Sequence, residues 1–215
     1  MSSSDHTPYN PLDIANLATS VGLALETLPQ VNLDEVEQFN GAGLYALYYR
    51  GHFALYRRIV EWNANGARMP IYVGKAVVGN ARKGGGDFTT DTSTDVLYRR
   101  ILKHRSSIQA ATNLDTADFS VRALVTVPVW IPLGETSLIA RYRPLWNVAI
   151  DGFGNNDPGA RRREQYRSVW DIIHPGRAWA ARQAENPVTV DEIERRVRAH
   201  LDNALVVAAQ PPIAE

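Results

Sequence analysis

Apolar residues recur at helical spacing over 11–28, PLDIANLATSVGLALETL, and predict an amphipathic helix that starts after a proline-containing turn. An acidic linker follows. The run GAGLYALYY at 41–49, aromatic and aliphatic after Gly41 and Gly43, predicts a strand. Residues 52–62, HFALYRRIVEW, read as helical, Asn63 to Arg68 as a loop, and PIYVGKAVV at 70–78 as a second strand. The composition of Gly79 to Thr94, with KGGGDFTTDTST, predicts a flexible loop. A helix is expected from Thr94 to Gln109, capped by Thr94 or Asp95. Residues 118–129 alternate and β-branch like a strand, with Phe119, Val121, Ala123 and Val125 facing inward. ETSLIARY at 135–142 predicts a short helix stopped by Pro144. LWNVAIDGFGNNDPGA reads as an extended piece entering a glycine-rich loop, and two further helices are expected near 160–173 and 189–205, before a disordered end. No internal repeat is visible. The order α–β–(α)–β–α–β–α–tail predicts an α+β fold, a small sheet flanked by helices.

A chain of 215 residues suits one domain with embellishments. It has no cysteine, which excludes disulfides and thiolate metal sites and suits a reducing compartment. MSSSDHTPYNPLD lacks the basic and apolar regions of a signal peptide, and no stretch approaches the ~18 apolar residues of a membrane span. A soluble, cytoplasmic protein is expected. Net charge is zero, where a purely phosphate-binding protein is usually basic. The charges are nevertheless segregated. VLYRRILKHR at 96–105 has four cations and a histidine with no acid, RRREQYR at 161–167 is also basic, and 33–37 and 191–194 are acidic. Such blocks suit a basic groove with an acidic back, and equally suit solvated helix faces.

Two predicted helices put polar groups among apolar ones. At about 100° per residue, Leu97, Ile101 and Ile108 form one stripe, with Arg100 and His104 on its edge and Arg99 and Lys103 pointing away. This predicts Arg100 and His104 at the rim of the core. On the later helix Glu135 falls in the middle of the apolar arc of Leu138, Ile139 and Tyr142. A carboxylate there needs a cation, a metal or hydrogen-bond donors. Tyr45 and Tyr72 lie in the two strands next to glycines, in G-L-Y and Y-V-G-K. Strand tyrosines are ordinarily core residues, so the information lies in the order: G-L-Y, Y-V-G-K, R-x-x-x-H, E-x-x-L-I, P-L-W-N.

With these motifs in this order the chain resembles the GIY-YIG nuclease superfamily. Gly43-Leu44-Tyr45 and Tyr72-Val73-Gly74 look like the two halves of the name motif. Arg100 matches the helical arginine, Glu135 the metal-ligand glutamate and Asn147 the asparagine that closes the core. His104, DGFGN at 151–155, P-G-A at 158–160 and W-D-I-I-H-P-G-R at 170–177 are similar to the restriction-enzyme branch that cuts CCGCGG. The long insert between the tyrosine motifs departs from the wider family and agrees with that branch, whose insertions contact or surround DNA. The resemblance implies a catalytic core at 41–150, an N-terminal helical extension at 1–40 and a C-terminal extension at 151–215.

The resemblance further implies Mg²⁺ on Glu135 (Mn²⁺ as a substitute) and Arg100 bracing the scissile phosphate. Tyr72 would supply a positioning hydroxyl, and Asn147 would have an architectural role. A phenol with a pKa of about 10 is a weak base unless positive charge lowers it. The base therefore remains open between Tyr45, His104 and Lys75, with Tyr45 beside His104 the favoured pair. Double-stranded DNA is the implied partner, read by the insert at 50–68, the loop at 76–95 or the basic tail at 158–182. A palindromic site implies a homodimer, and a companion DNA methyltransferase is expected in the host but not as a stable partner. A repair or homing-type nuclease, an inert DNA-binding module on the same fold and an unrelated small α+β enzyme are the rival readings. Plasmid incubated with Mg²⁺ separates these: discrete fragments, random nicks, a shifted intact band or nothing.

Overall fold

The strand predicted around Tyr45 organises the protein in a computed structural model that describes residues 10, 12–64, 69–78, 93–159 and 165–208. Four strands, β1 (Val31–Asn32), β2 (Gly43–Tyr49), β3 (Tyr72–Ala76) and β4 (Phe119–Val125), form an antiparallel sheet of order β1-β4-β2-β3. Every residue of β2 is buried. Its pleat sends Tyr45, Leu47 and Tyr49 to one face and Leu44, Ala46 and Tyr48 to the other, so both faces must be covered.

On the first face these residues pack with Tyr72, Phe119 and Val121. They lie beneath α2 (Arg57–Asn63), α3 (Val96–Ala110), α5 (Leu145–Val148), α6 (Val169–Ile173) and α7 (Val190–Ala208). The second face packs Leu44, Ala46, Tyr48 and Val73 under α1 (Ile14–Thr27) and α4 (Trp130–Tyr142). The result is a helix–sheet–helix α+β fold. Among the described residues no helix is long and apolar enough to cross a membrane.

Several boundaries differ from expectation. The segment expected to be helical over 52–62 opens as a 3-10 turn at Ala54–Tyr56 before α2. The insert is closed by buried Asn63, which bonds the carbonyls of Tyr49 and Met69 and accepts from the Met69 N–H at 2.9 Å. Arg58 pairs with Asp202, tying α2 to α7. Helix α4 begins at Trp130, earlier than expected, because Pro132 is tolerated in a first turn. The expected extended piece at LWNV is instead the helical turn α5, which follows Pro144. In the described part of the helix expected at 160–173 only Val169–Ile173 is helical, with Ser168 accepting from the Asp171 N–H, while Tyr166 makes a bridge to Ala184. Residues 79–92, at the centre of the predicted glycine-rich loop, and 160–164, in the basic run, lie outside the described residues. So do residues 65–68 and the predicted disordered end from 209.

The expected cap of α3 is also revised. Asp95 sits at the N-cap position but makes no capping bond; its carboxylate pairs with Arg99 at 2.7 Å. Gly41 takes over, donating to Thr94 O and accepting from the Leu97 N–H at 3.2 Å.

Behind the first face, His174 is fully buried, with Nε2 2.5 Å from the Tyr56 hydroxyl and Nδ1 2.8 Å from Asn113 Oδ1. Trp146 Nε1 donates to the same hydroxyl at 3.0 Å. Burial lowers the imidazole from 6.5 to about 3. A neutral His174 in the fold that protonates once unfolded makes acid favour unfolding, at about 1.4 kcal/mol per pH unit per proton. This stability is complete above pH 6.5 and falls as the pH drops toward about 3. His104, also held neutral by burial, adds a second proton to the same window. Urea unfolding at pH 7, 6 and 5 should therefore show falling stability, and His174→Gln should make the slope shallower; an unaltered slope would contradict the assignment.

Candidate active site

Two antiparallel neighbours begin the site. The register pairs Tyr45 with Gly74 and Leu47 with Tyr72, so both tyrosines rise from the first face of the sheet. Their rings lie 6.1 Å apart. The ring of Tyr45 passes directly over Gly74, where a Cβ would come 2.3 Å from the Tyr45 hydroxyl. The glycine of Y-V-G is thus the space that the first tyrosine occupies.

Helix α3 crosses this face and brings His104 to the pair, with Nε2 2.5 Å from the Tyr45 hydroxyl. Its ring is 5.2 Å from that of Tyr72 and stacks at 4.4 Å on Phe153. The expectation that His104 sits at the core rim is corrected: it is only 2% exposed. A helical wheel considers α3 alone, and here residues from the 151–177 stretch cover its edge. Arg100, one turn earlier, is half-buried and donates from Nη2 to Gly154 O at 3.0 Å, while Arg99 and Lys103 are exposed as expected.

Charge is disfavoured in this cluster. Burial lifts the Tyr45 phenol well above its ordinary value and Tyr72 adds to this, while Arg100 opposes it. Burial also raises Tyr72; Arg100 and the Tyr45 hydroxyl oppose, and the Glu135 charge adds to the rise. Burial, followed by the positive charges of Arg100, Arg177 and Lys103, holds His104 well below its usual range. Phenol and imidazole are therefore both neutral near pH 7 and are joined by one short hydrogen bond.

The second half of the site lies across the strand. In β3 the pleat turns Tyr72 toward α3 and its neighbour Val73 toward α4. Lys75, in phase with Val73, pairs with Glu135 of α4 at 2.7 Å, the side chains being 36% and 21% exposed. Glu135 lies at the margin of the apolar arc and not in its middle as expected, because Gly134, Ser137 and Leu138 form the buried side of α4. β3 is the edge strand, so the two half-sites meet around its free edge, where the Glu135 charge reaches the Tyr72 hydroxyl. Asn147 closes that edge. Its Oδ1 accepts from the Val73 N–H and its Nδ2 donates to the Val73 carbonyl, both at 2.8 Å, as a neighbouring strand would.

Among the described residues no three His, Cys, Asp or Glu side chains converge into a metal cluster. Glu135 is a lone, partly exposed carboxylate already facing a cation. That donor set fits a hard divalent ion that takes one protein oxygen and keeps several waters. It does not fit a fully protein-ligated ion.

All seven expected side chains thus gather at β3. Sequence reasoning missed the support behind them: Phe153 beneath His104, and Arg177, which bonds the carbonyls of Gly152 and Phe153. The quoted W-D-I-I-H-P-G-R and DGFGN stretches contain them, but nothing in their spacing announces that they meet.

Tyrosines on paired strands, an arginine on the next helix and a glutamate on the helix after β4 define the GIY-YIG fold, and with it a nuclease. A family model described as the Eco29kI GIY-YIG domain matches residues 37–201, and the chain belongs to this family of restriction-endonuclease domains. No match is found among curated proteins.

Two substitutions test the scaffold. Asn147→Ala removes both bonds to Val73 and should cost about 1–3 kcal/mol in urea unfolding; a change within error would deny the edge-closing role. Gly74→Ala should displace the Tyr45 ring and be read as a lower melting temperature, whereas an unchanged melting temperature and tyrosine fluorescence would refute the packing.

Proposed function

We propose that this nuclease is a type II restriction endonuclease that hydrolyses double-stranded DNA at a short palindromic site, with CCGCGG as the leading candidate. It would act as a homodimer in the cytoplasm, beside a separate protective methyltransferase. Membership of a restriction-endonuclease family supports the class. The meeting of Tyr45, Tyr72, Arg100 and His104 with Lys75 and Glu135 around the outer edge of β3 is the observation that carries the chemistry.

In this reading Glu135 would hold Mg²⁺ (or Mn²⁺), which when bound would supply charge stabilisation to the phosphoryl group. Arg100 presents its planar fork to the scissile phosphate, one face of which is already steadied by Gly154 O. Lys75 gives up Glu135 and turns its ammonium to the same phosphate. The high phenol pKa makes a standing Tyr45 phenolate a poor starting point. The 2.5 Å contact instead favours a relay, in which the Tyr45 oxygen takes a proton from the attacking water as its own proton passes to His104 Nε2. The resulting hydroxide attacks phosphorus, the 3′ oxygen leaves and is protonated by solvent, and no free phenolate builds up. Tyr72 orients the water, and Asn147 holds the strand that carries both Tyr72 and Lys75.

Specificity is assigned to side chains outside this core. Arginines reading guanine from the major groove suit a GC-only sequence. A repair or homing-type role is disfavoured by the match to a restriction-enzyme family, which runs through 201.

Plasmid digestion tests the assignment. Glu135→Ala should abolish cleavage yet retain site-specific gel shift in Ca²⁺, and loss of binding would make the residue structural. Tyr45→Phe should lose nearly all activity, while substantial residual cutting would return the base role to His104 or Lys75. Arg99→Ala, which lies away from the site, should cleave normally; an inactive Arg99→Ala protein would contradict the geometry. Mapping of the cut ends decides CCGCGG.

A further inference from the structure

Asp171, in α6, and Arg177, just beyond its end, form an ion pair whose side chains are only 1% and 3% exposed. Arg177 donates from Nε to Asp171 Oδ1 and from Nη2 to Oδ2, each at 2.6 Å. Ser168 Oγ braces the carboxylate at 2.7 Å. The guanidinium lies between the rings of Trp170 and Trp179, 4.5 Å from each centroid. Its remaining capacity is aimed at one loop: Nη1 donates to Phe153 O at 3.2 Å, and Nη2 to Gly152 O at 2.9 Å.

A buried ion pair is weak evidence of a stabilising role, since an apolar pair of equal volume often serves as well. What this one fixes is a loop that serves the site twice. The ring of Phe153 stacks on His104 at 4.4 Å and packs at 4.9 Å on Tyr72. The next carbonyl, Gly154 O, anchors Arg100 at 3.0 Å, and Gly154 has no side chain to obstruct the Tyr72 hydroxyl, which a Cβ would meet at 2.7 Å. A shift of this loop would move Arg100 and His104 together, and a displacement of about 1 Å can cost about 10²-fold in rate.

We propose that Arg177, clamped by Asp171 and two indoles, is a positioning residue that sets Arg100 and His104 for phosphodiester hydrolysis through the loop at 152–154. The proposal rests on the active-site reading above. Arg177 also acts at a distance. The groups facing His104 are Tyr45 from β2, Tyr72 from β3, Arg100 and Lys103 from its own helix, and Arg177 from the segment after α6. Arg177 is one of the positive charges that disfavour the imidazolium.

The experiment compares the full-length wild type with D171N/R177M, R177K and R100A. Melting temperature, DNA affinity in Ca²⁺ and single-turnover plasmid cleavage across pH are measured for each. D171N/R177M removes both buried charges together, so no lone charge is stranded. It should bind DNA normally but cleave about 10²-fold more slowly. Its acidic limb should move to higher pH, because of the two charges removed it is Arg177, and not Asp171, that disfavours the His104 imidazolium. R177K keeps the charge but loses the planar fork, and should cleave more slowly with the limb unmoved. If the double variant does not fold, R177K carries the test alone, and a wild-type rate there overturns the proposal. A double variant with the wild-type rate and limb, alongside an inactive R100A, overturns it while leaving the active-site reading intact. A loss of rate that parallels lost DNA binding, with the limb unmoved, overturns it in favour of a general structural role. Wild-type cleavage by R100A would instead remove the active-site reading itself.

Discussion

An edge strand has two faces and one free side, and the candidate active site depends on all three. In β3 the alternation of side chains sends Tyr72 toward α3 and Lys75 toward α4. In a central strand such neighbours would be separated by the sheet. Here they meet around the margin, where Glu135 and Tyr72 come within electrostatic reach. The free backbone that makes this possible is also a liability, and Asn147 answers it by pairing with both polar groups of Val73.

The two sides of the strand differ in electrostatic character. On the α3 side Tyr45 and His104 are buried, neutral and in direct contact. On the α4 side Lys75 and Glu135 form a partly exposed ion pair. The proposed proton relay and charge stabilisation would thus fall in separate environments a strand's width apart.

The surrounding segments are integrated with the core. Val31–Asn32 adds a strand beside β4, and α1 packs with α4 over the second face. The insert between the tyrosine motifs buries Ile59 and is tied through Arg58 to α7. The stretch after residue 150 supplies Phe153, Asp171 and Arg177 behind the site. Neighbours far apart in the chain therefore hold the chemistry in place.

What the sequence alone determined were the strands around Tyr45 and Tyr72, the helix carrying Arg100 and His104, the helix carrying Glu135, and the α+β class. These rest on local periodicity and on the order of motifs, both of which survive without knowledge of neighbours. It misjudged the burial of His104, the turn at LWNV and the helical state of 165–168, because in each case a distant segment or a capping bond overrides local pattern. The Lys75–Glu135 pair, the hydrogen bond between Tyr45 and His104, and the clamp of Arg177 on the 152–154 loop were decided only by the tertiary structure. Periodicity tells which way a side chain faces on its own element; which partner waits there depends on how the elements cross.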